Sequence, residues 1–462
     1  MRKMLKPLQG KTMRIPSNPA RPIHHSLRLI GVVAICLPFC LLTQDLHSFQ
    51  DAAQLESNWH QWRGPSADGV SPNATPPTEW SESNNVAWKV PVSGEGIATP
   101  IVWDGKIFLV TSVATDRVPE TAAANDERAL TRPPNLFFQF KVVCLSLETG
   151  ETIWEDVCVE LAPHEGRHKT STYAAASPMT DGEQLIVPFG SYGIFSYSLD
   201  GEKQWSIDLG DMHTRKGWGE ATSPVLVDGL VVMNWDNEDE SSIYALDGGT
   251  GETKWQIARD EPTTWATPLI IERDGNKQVV TNGTNRVVAY DLQTGTEVWS
   301  AKGTTLNAIP CPVQFKDSVI FMGGYRGNRA VSIKVGSGGE QTQNWELVRG
   351  TPYVPSPLLS ENRLYFTQGN KAILRCVNAE TGEAFFGPKR LDGLESLYGS
   401  PVLANGHVYL TSRDGVTVVF KDATEYEVVA TNTLDDKFDA SPVPIGSKLL
   451  MRGRKSLYCI EE

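Results

Sequence analysis

The sequence has few cysteines, and outside its N-terminal region no two of them are close neighbours. Cys36 and Cys40 lie in an apolar stretch near the start. The other five are spread along the rest of the chain: Cys144, Cys158, Cys311, Cys376 and Cys459. This spacing excludes a CxxC metal or redox motif and offers no disulfide framework, so we expect buried thiols.

Positive charge is scarce in the main part of the chain. The 462 residues carry a net charge of −13, and residues 1–50 contribute seven Lys or Arg against Asp45 alone, a balance of +6, so residues 51–462 carry −19. Nucleic acids and anionic lipid surfaces bind cationic faces of proteins. The acidic balance argues against both as partners, and the hydrophobic content of 40% indicates a globular chain with a large core.

An apolar run long enough to span a bilayer is also missing near the N-terminus. The uncharged stretch Leu29–Leu42 has fourteen residues, whereas a spanning helix needs ~20. The basic residues before it are typical of an export signal. We predict that residues 1–50 are a signal peptide or an uncleaved N-terminal membrane anchor, and that the rest of the chain works outside the cytoplasm, in the periplasm or envelope. Phe39 makes "LPFC" a poor lipoprotein site.

What the sequence does contain is a repeat with two signatures. One is a pair of strands joined by a Gly turn and ending in an aromatic residue, as in "VVCLSLETGETIW", "IYALDGGTGETKW" and "VVAYDLQTGTEVW". The other is a small residue, then proline, then an apolar run. Its prolines follow one another at intervals of 41 to 46 residues after a first interval of 78: Pro100, Pro178, Pro224, Pro268, Pro312, Pro357, Pro401 and Pro442.

This period predicts an all-β chain, an eight-bladed β-propeller of four-stranded antiparallel blades. The last unit has room for only three strands. Trp88 stands twelve residues before Pro100, and Trp255, Trp299 and Trp345 stand twelve or thirteen residues before their next prolines. We therefore expect the N-terminal strand to close the ring, with the propeller over residues 86–462 and a separate segment containing "WRGP" over residues 51–85. The outer-strand tryptophans are predicted to dock between blades: Trp88, Trp154, Trp205, Trp255, Trp299 and Trp345.

The proline start and the "A-x-D-x-x-T-G-x-x-x-W" ending resemble the PQQ-like, or tryptophan-docking, repeats. These occur in quinoprotein dehydrogenases and in the propeller lipoprotein of the outer-membrane protein assembly machinery. The resemblance extends from about residue 86 to 462, and "WHQWRGPSADGVS" is similar to the segment that precedes a bacterial group of such propellers. It implies the fold strongly and the function weakly, because repeat residues belong to the scaffold.

The same resemblance raises pyrroloquinoline quinone (PQQ) with Ca²⁺ as an alternative cofactor. The dehydrogenases that use it have two adjacent cysteines forming a disulfide, a tryptophan beneath the quinone, and acidic and amide ligands for Ca²⁺. No two cysteines are adjacent here, and no acidic cluster matches. We therefore expect no cofactor.

Two further patterns suggest metals but lack the right context. "HEGRH", His164 to His168, fits H-E-x-x-H, yet Pro163 and Gly166 oppose the helix that a zinc peptidase needs. "DNEDE", Asp236 to Glu240, has no later residues to complete a calcium loop, so we expect a solvated turn. We predict no metal site and no catalytic residues.

The connections that enter the innermost strands supply aromatic residues to one mouth of the channel. Our candidate ligand contacts are Tyr173, Trp218, Glu220, Trp265, Tyr353 and Tyr398, and Phe438 lies in an equivalent connection. These rings either form a binding surface for a sugar, a peptide or a planar ligand, or fill the axis as core.

We therefore predict a monomeric, exported, non-catalytic binding or scaffold propeller whose ligand is a protein, a peptide or a small molecule. A PQQ-dependent oxidoreductase and an envelope protein-assembly subunit remain the alternatives.

Overall fold

The computed structural model describes residues 53–462, which form a ring of eight β-sheets. The predicted signal peptide or anchor over residues 1–50 lies outside the described residues. In residues 53–462, no helix has the length and apolar composition needed to cross a membrane.

The eight sheets are the blades of the propeller, and each follows the preceding one along the chain. Blade 1 contains β3 (Ile101–Trp103), β4 (Lys106–Ala114), β5 (Phe138–Ser146) and β6 (Thr152–Leu161); blade 2 contains β7 (Met179–Thr180), β8 (Gln184–Pro188), β9 (Ile194–Ser198) and β10 (Lys203–Ile207). Blade 3 contains β11 (Val225–Val227), β12 (Leu230–Trp235), β13 (Ser242–Asp247) and β14 (Thr253–Ala258); blade 4 contains β15 (Leu269–Arg273), β16 (Asn276–Thr281), β17 (Arg286–Asp291) and β18 (Glu297–Lys302).

The second half of the ring has the same plan. Blade 5 contains β19 (Val313–Phe315), β20 (Ser318–Gly323), β21 (Arg329–Val335) and β22 (Gln341–Leu347); blade 6 contains β23 (Leu358–Ser360), β24 (Arg363–Thr367), β25 (Ile373–Asn378) and β26 (Ala384–Arg390). Blade 7 contains β27 (Val402–Ala404), β28 (His407–Thr411), β29 (Val416–Lys421) and β30 (Val428–Thr433), joined by β1 (Val70–Ser71); blade 8 contains β31 (Val443–Ile445), β32 (Lys448–Arg452), β33 (Ser456–Ile460) and β2 (Val86–Pro91).

The prediction of an eight-bladed propeller is confirmed, and so is the closing strand. β2 pairs antiparallel with β33, with Trp88 opposite Cys459, so the N-terminus supplies the outer strand of blade 8. One detail differs from the prediction of four strands in every blade. Blade 7 has five, because β1 pairs parallel with the innermost strand β27, Val70 opposite Leu403.

The repeat tryptophans join neighbouring blades through their indole N–H groups. The Trp88 indole of blade 8 donates to the Leu147 carbonyl of blade 1 at 3.2 Å. Trp154, Trp205, Trp255 and Trp345 donate to carbonyls of the next blade at 2.7 to 3.1 Å. Trp299 differs because it donates to the Gln278 side chain of its own blade at 2.9 Å.

The glycine of each D-x-x-T-G turn makes room for these indoles. Gly150 has φ +72°, and a Cβ on it would lie 2.7 Å from the Trp88 ring. Gly251 stands in the same relation to Trp205, also at 2.7 Å. The glycine therefore serves two purposes, a positive φ that closes the turn and a bare surface for the ring of the preceding blade.

A belt of hydrogen bonds surrounds the channel at the residue before each blade proline. The Ser356 backbone N–H donates to the Ser400 Oγ at 2.9 Å, and the Ser400 N–H donates to the Ser441 Oγ at 3.0 Å. The pattern continues into blade 1, where Thr99 accepts from Ser441 at 3.1 Å. It also includes a thiol, because Cys311 Sγ accepts from the Thr267 N–H at 3.1 Å. The small residue before proline is thus an acceptor for the neighbouring blade, a role beyond fitting a crowded axis.

Residues 58–71 cross one end of the channel and close it. Trp59 is fully buried and exchanges backbone hydrogen bonds with Val102 of blade 1 at 2.8 and 3.1 Å. The Arg63 guanidinium, also buried, donates to the Pro401 carbonyl of blade 7 at 3.2 Å and to the Pro357 carbonyl of blade 6. Trp62 and Pro65 share a cavity with the innermost strands of blades 3 and 4. The "WRGP" segment therefore forms a floor that lies against blades on both sides of the ring.

Candidate functional site

A cavity of about 410 Å³ opens at the mouth opposite this floor. It lies among the loops that enter the innermost strands and the loops that join the second and third strands of the blades. Four of the six predicted contacts line it: Trp218, Trp265, Tyr353 and Tyr398. All four side chains are partly exposed, so their rings are walls of an open cavity.

The cavity continues into the channel. A lower cavity of about 120 Å³ shares with it a ring of residues that each stand three positions before a blade proline: Ile97, Ala221, Trp265, Ile309, Val354 and Tyr398. Trp62, from the "WRGP" segment, lines the lower cavity. The mouth is therefore the wide end of a blind shaft, with an indole at its base.

Aromatic contacts fix the walls of the mouth. Tyr325 and Tyr353 stack with centroids 4.9 Å apart and planes 24° apart, and Trp218 meets Tyr325 edge-on at 6.1 Å. His168 meets Trp218 edge-on at 5.9 Å. The Trp265 indole donates to the Gly219 carbonyl at 2.7 Å, which ties the loop carrying Trp218 to the next connection. These rings present preformed apolar faces with few torsions left to restrict on binding.

One wall carries positive charge. The Arg413 guanidinium lies 4.2 Å from the centroid of the Tyr398 ring. Arg413 and Arg454 both pair with the buried carboxylate of Asp439. Arg454 also donates to the Thr170 carbonyl at 2.6 Å, so this ion cluster holds a lining loop in place.

Tyr173 and Glu220 do not reach this cavity. Tyr173 is 9% exposed and its ring packs edge-on against Phe138 at 5.2 Å and Tyr192 at 5.7 Å. The two residues line a separate space of about 30 Å³, room for one or two water molecules. Phe438, at 2% exposed, is also core. The two interpretations of the aromatic connections thus apply to different residues, with some in the core and others at the mouth.

Glu220 is nonetheless held in an unusual way. Its Oε2 accepts from the Ser191 N–H at 2.8 Å, and the carboxylate occupies the place of a Cβ on Gly190, 1.7 Å from the position that atom would take. Burial raises the pKa of Glu220 to about 8, and the nearby carboxylate of Glu165 adds to the shift. Glu165 has its own pKa raised to about 7 by burial.

The two metal-like patterns take structural roles. Glu165, in "HEGRH", accepts from the Thr214 N–H at 2.9 Å and from the Thr214 hydroxyl at 2.6 Å. The expectation of a solvated turn at "DNEDE" is wrong for Asp236, which is fully buried and pairs with the buried Arg259 at 2.7 Å. Within residues 53–462, no group of three or more His, Cys, Asp or Glu side chains is placed to hold a metal ion.

Sequence reasoning missed three residues that bring rings to the cavity and the shaft beneath it. Tyr325 lies in "GGYRGN", between the second and third strands of blade 5, a type of connection that the search for aromatics before proline does not include. His168 is the last residue of "HEGRH", and Trp62 belongs to "WRGP". Aromatic residues in the loops between second and third strands could have been found from the sequence. The path of residues 58–71 across the end of the channel could not, because no sequence pattern indicates it.

The mouth does not fit a calcium-bound quinone. Within the described part of the chain, the one acid that lines the cavity or the shaft beneath it is Asp439, and its carboxylate is already paired with Arg413 and Arg454. Cys311, the cysteine of the belt, is buried and free, and so are the other four cysteines of residues 53–462. The site therefore lacks the adjacent cysteines and the set of unpaired acidic ligands that the PQQ-dependent dehydrogenases use for Ca²⁺.

Repeats, blade number and cavity together define the class: an eight-bladed propeller of PQQ-like repeats with a ligand-sized cavity at one mouth. Residues 139–387, more than half of the chain, match the family model described as outer membrane protein assembly factor BamB. The chain belongs to this family, which confirms the resemblance seen in its repeats.

Individual relatives agree with the assignment. The chain is 23% identical over 331 residues to the outer membrane protein assembly factor BamB of Yersinia pestis, covering 68% of this chain and 77% of that protein. Two crystal structures share the fold. BamB from Moraxella catarrhalis matches with a TM-score of 0.50 and 14% identity over 76% of this chain and 99% of that one. Quinohemoprotein alcohol dehydrogenase ADHIIG from Pseudomonas putida HK5 matches with a TM-score of 0.54 and 12% identity, over 88% of this chain and 80% of that one.

Proposed function

We propose that this protein is a binding or scaffold propeller that works outside the cytoplasm and engages another protein at its aromatic mouth. The observation that carries the proposal is the cavity of about 410 Å³, walled by partly exposed rings on short loops between rigid blades. Preformed aromatic pockets on rigid scaffolds are typical recognition sites, because large apolar areas become buried at little cost in conformational freedom. Membership of the BamB family supports a role in envelope protein assembly.

The chemistry of the lining also favours binding over catalysis. His168 is the only ring nitrogen base among the lining residues, and its Nδ1 lies 2.7 Å from the Thr170 Oγ1. Burial lowers the pKa of His168, and the neighbouring Lys169 and Arg413 lower it further. In a histidine-activated nucleophile a third group orients the histidine, whereas both hydrogen bonds of the His168 ring within residues 53–462 are made with Thr170. The lining residues of the described chain supply hydroxyls and apolar surface around this histidine.

Site-specific photo-crosslinking tests the proposal with the full-length chain. A benzoylphenylalanine in place of Tyr353 puts the probe in the cavity, whereas the same probe in place of Asp274, an exposed residue in a turn between the first and second strands of blade 4, puts it on the opposite face. We expect a discrete protein adduct from position 353 and none from position 274. An adduct confined to position 274 would contradict the proposal.

A cofactor titration separates the binding proposal from the quinone-dependent oxidoreductase. Tryptophan fluorescence is followed during addition of PQQ and Ca²⁺, together with dye-coupled alcohol oxidation. We expect neither saturable quenching nor turnover. Quenching with turnover would establish an enzyme with a cofactor site of a different design and would overturn the proposal.

A further inference from the structure

The mouth carries unpaired positive charge although residues 51–462 have a net charge of −19. Lys169 adjoins the lining residues His168 and Thr170, Arg215 precedes the lining residue Trp218 by three positions, and Arg326 adjoins the lining residue Tyr325. The ion pairs formed within residues 53–462 include none of these three cations, and all three side chains are exposed or half-exposed. Their charges are therefore available to a ligand.

Arg413 and Arg454, which donates to the Thr170 carbonyl beside Lys169, add to this charge. Arg413 and Arg454 share the single carboxylate of Asp439, which leaves that cluster with one positive charge in excess. Arg167, also near the mouth, is neutralised by Glu95. Two exposed acids offset part of the positive charge, Asp414 beside Arg413 and Glu395, which precedes the lining residue Tyr398 by three positions. The three unpaired cations and the Asp439 cluster still exceed these two acids, so the rim of the cavity keeps a net positive charge.

The cations stand on several sides of the cavity. Lys169 lies in the connection from blade 1 to blade 2, Arg215 in the next connection, Arg326 within blade 5, and Arg413 within blade 7. A small planar anion presents its charge at one point, whereas these cations are spread over several blades around the rim. An extended chain can place one side chain in the cavity and carboxylates on both sides of the rim.

We infer that the mouth binds an acidic segment of another polypeptide, which inserts an aromatic side chain among Trp218, Tyr325 and Tyr353. The inference rests on the proposed function and adds the chemistry of its partner. The cavity volume suits one large side chain rather than a folded domain. Charge complementarity at the rim selects and steers the segment, and the buried aromatic contact supplies most of the affinity.

Peptides of defined charge test the inference against the full-length protein. Three fluorescein-labelled peptides are compared by fluorescence anisotropy: EEEWEEE, KKKWKKK and EEEAEEE. We expect EEEWEEE to bind at least about tenfold more tightly than either of the others. Raising the salt concentration from about 50 to about 300 mM should weaken its binding, because exposed charges are screened.

Two variants with the same change in charge locate the site. The double variant Lys169→Gln/Arg326→Gln removes two rim cations, and the matched variant Lys302→Gln/Lys334→Gln removes two exposed lysines from the outer strand of blade 4 and the third strand of blade 5. We expect the rim variant to weaken EEEWEEE binding about fivefold to tenfold and the matched variant to change it less than twofold. Equal effects of the two variants would overturn the inference, because binding would then depend on the net charge of the protein and not on the cations at the rim.

Other outcomes separate the inference from the proposed function. If EEEWEEE and KKKWKKK bind equally and Trp218→Ala weakens both, the mouth binds aromatic groups without selecting charge; the inference fails and the proposed function stands. Failure of all three peptides, with protein adducts still formed at position 353, would have the same meaning. Anilinonaphthalene sulfonate bound at the mouth more tightly than EEEWEEE would make the ligand a small planar anion and would overturn the inference.

Discussion

The belt of hydrogen bonds before the blade prolines makes a sharp prediction about Ser400. Its Oγ accepts the buried Ser356 N–H at 2.9 Å, and Ser400 is 3% exposed. Ser400→Ala leaves that N–H without an acceptor in a place where water has little access. An unsatisfied buried donor costs about 1–3 kcal/mol, so we expect the free energy of unfolding to fall by about 2 kcal/mol.

The chain offers a matched control for this substitution. Ser196 is 1% exposed, and its Oγ has no hydrogen-bond partner among residues 53–462. Ser196→Ala removes the same atom from an equally buried strand position and leaves no donor unpaired. We expect it to be neutral or slightly stabilising, because burying an unpaired hydroxyl is itself unfavourable.

Urea unfolding followed by tryptophan fluorescence measures both variants. The midpoint of Ser400→Ala should lie below that of the wild type, with the slope unchanged, and that of Ser196→Ala should equal or exceed the wild-type value. If Ser400→Ala costs no more than Ser196→Ala, the belt does not stabilise the ring, and the small residues before proline serve only to fit the axis.

Three further predictions concern other parts of the scaffold. Gly150→Ala and Gly105→Ala both replace a glycine with φ +72°, but only at Gly150 does a ring, that of Trp88, lie within 3.0 Å of the new Cβ. We expect the free energy of unfolding to fall by about 1 kcal/mol for Gly105→Ala and by about 3 kcal/mol for Gly150→Ala, as measured by thermal or urea unfolding. The pKa of Glu220 is raised to about 8 from an ordinary value of 4.5, so the folded state holds this proton more tightly than the unfolded state does. Stability should therefore fall as the pH rises through this window, and Glu220→Gln should reduce that fall by about 2 kcal/mol between pH 5 and 8. An unchanged pH profile would show that Glu220 does not titrate there. Cys311→Ser keeps an acceptor in the belt, so its free energy of unfolding should stay within about 1 kcal/mol of the wild-type value, whereas that of Cys311→Val should be about 2 kcal/mol lower still. Equal unfolding midpoints for the two variants would show that the thiol accepts no hydrogen bond.

The candidate site could be predicted only in part. Trp218, Trp265, Tyr353 and Tyr398 were found because the connections before the prolines recur at a fixed place in the unit, so their position relative to the axis follows from the fold. Tyr173 and Glu220 occupy equivalent connections, yet they turn into the space between blades 2 and 3. That choice depends on packing against Phe138 and Tyr192, which the local sequence does not encode.

The sequence by itself determined the scaffold, because each blade is built from nearby residues. The prolines, the Asp-Gly and Thr-Gly turns and the closing Trp88 are local signals repeated at a constant spacing, so blade number and ring closure follow from them. Tertiary structure decided what the ring encloses. The Arg63 contacts with blades 6 and 7, the belt from one blade to the next, and the meeting of Trp218, Tyr325 and Tyr353 all join residues far apart in the chain. Such contacts exist only once the ring has closed, so no pattern of neighbouring residues could predict them.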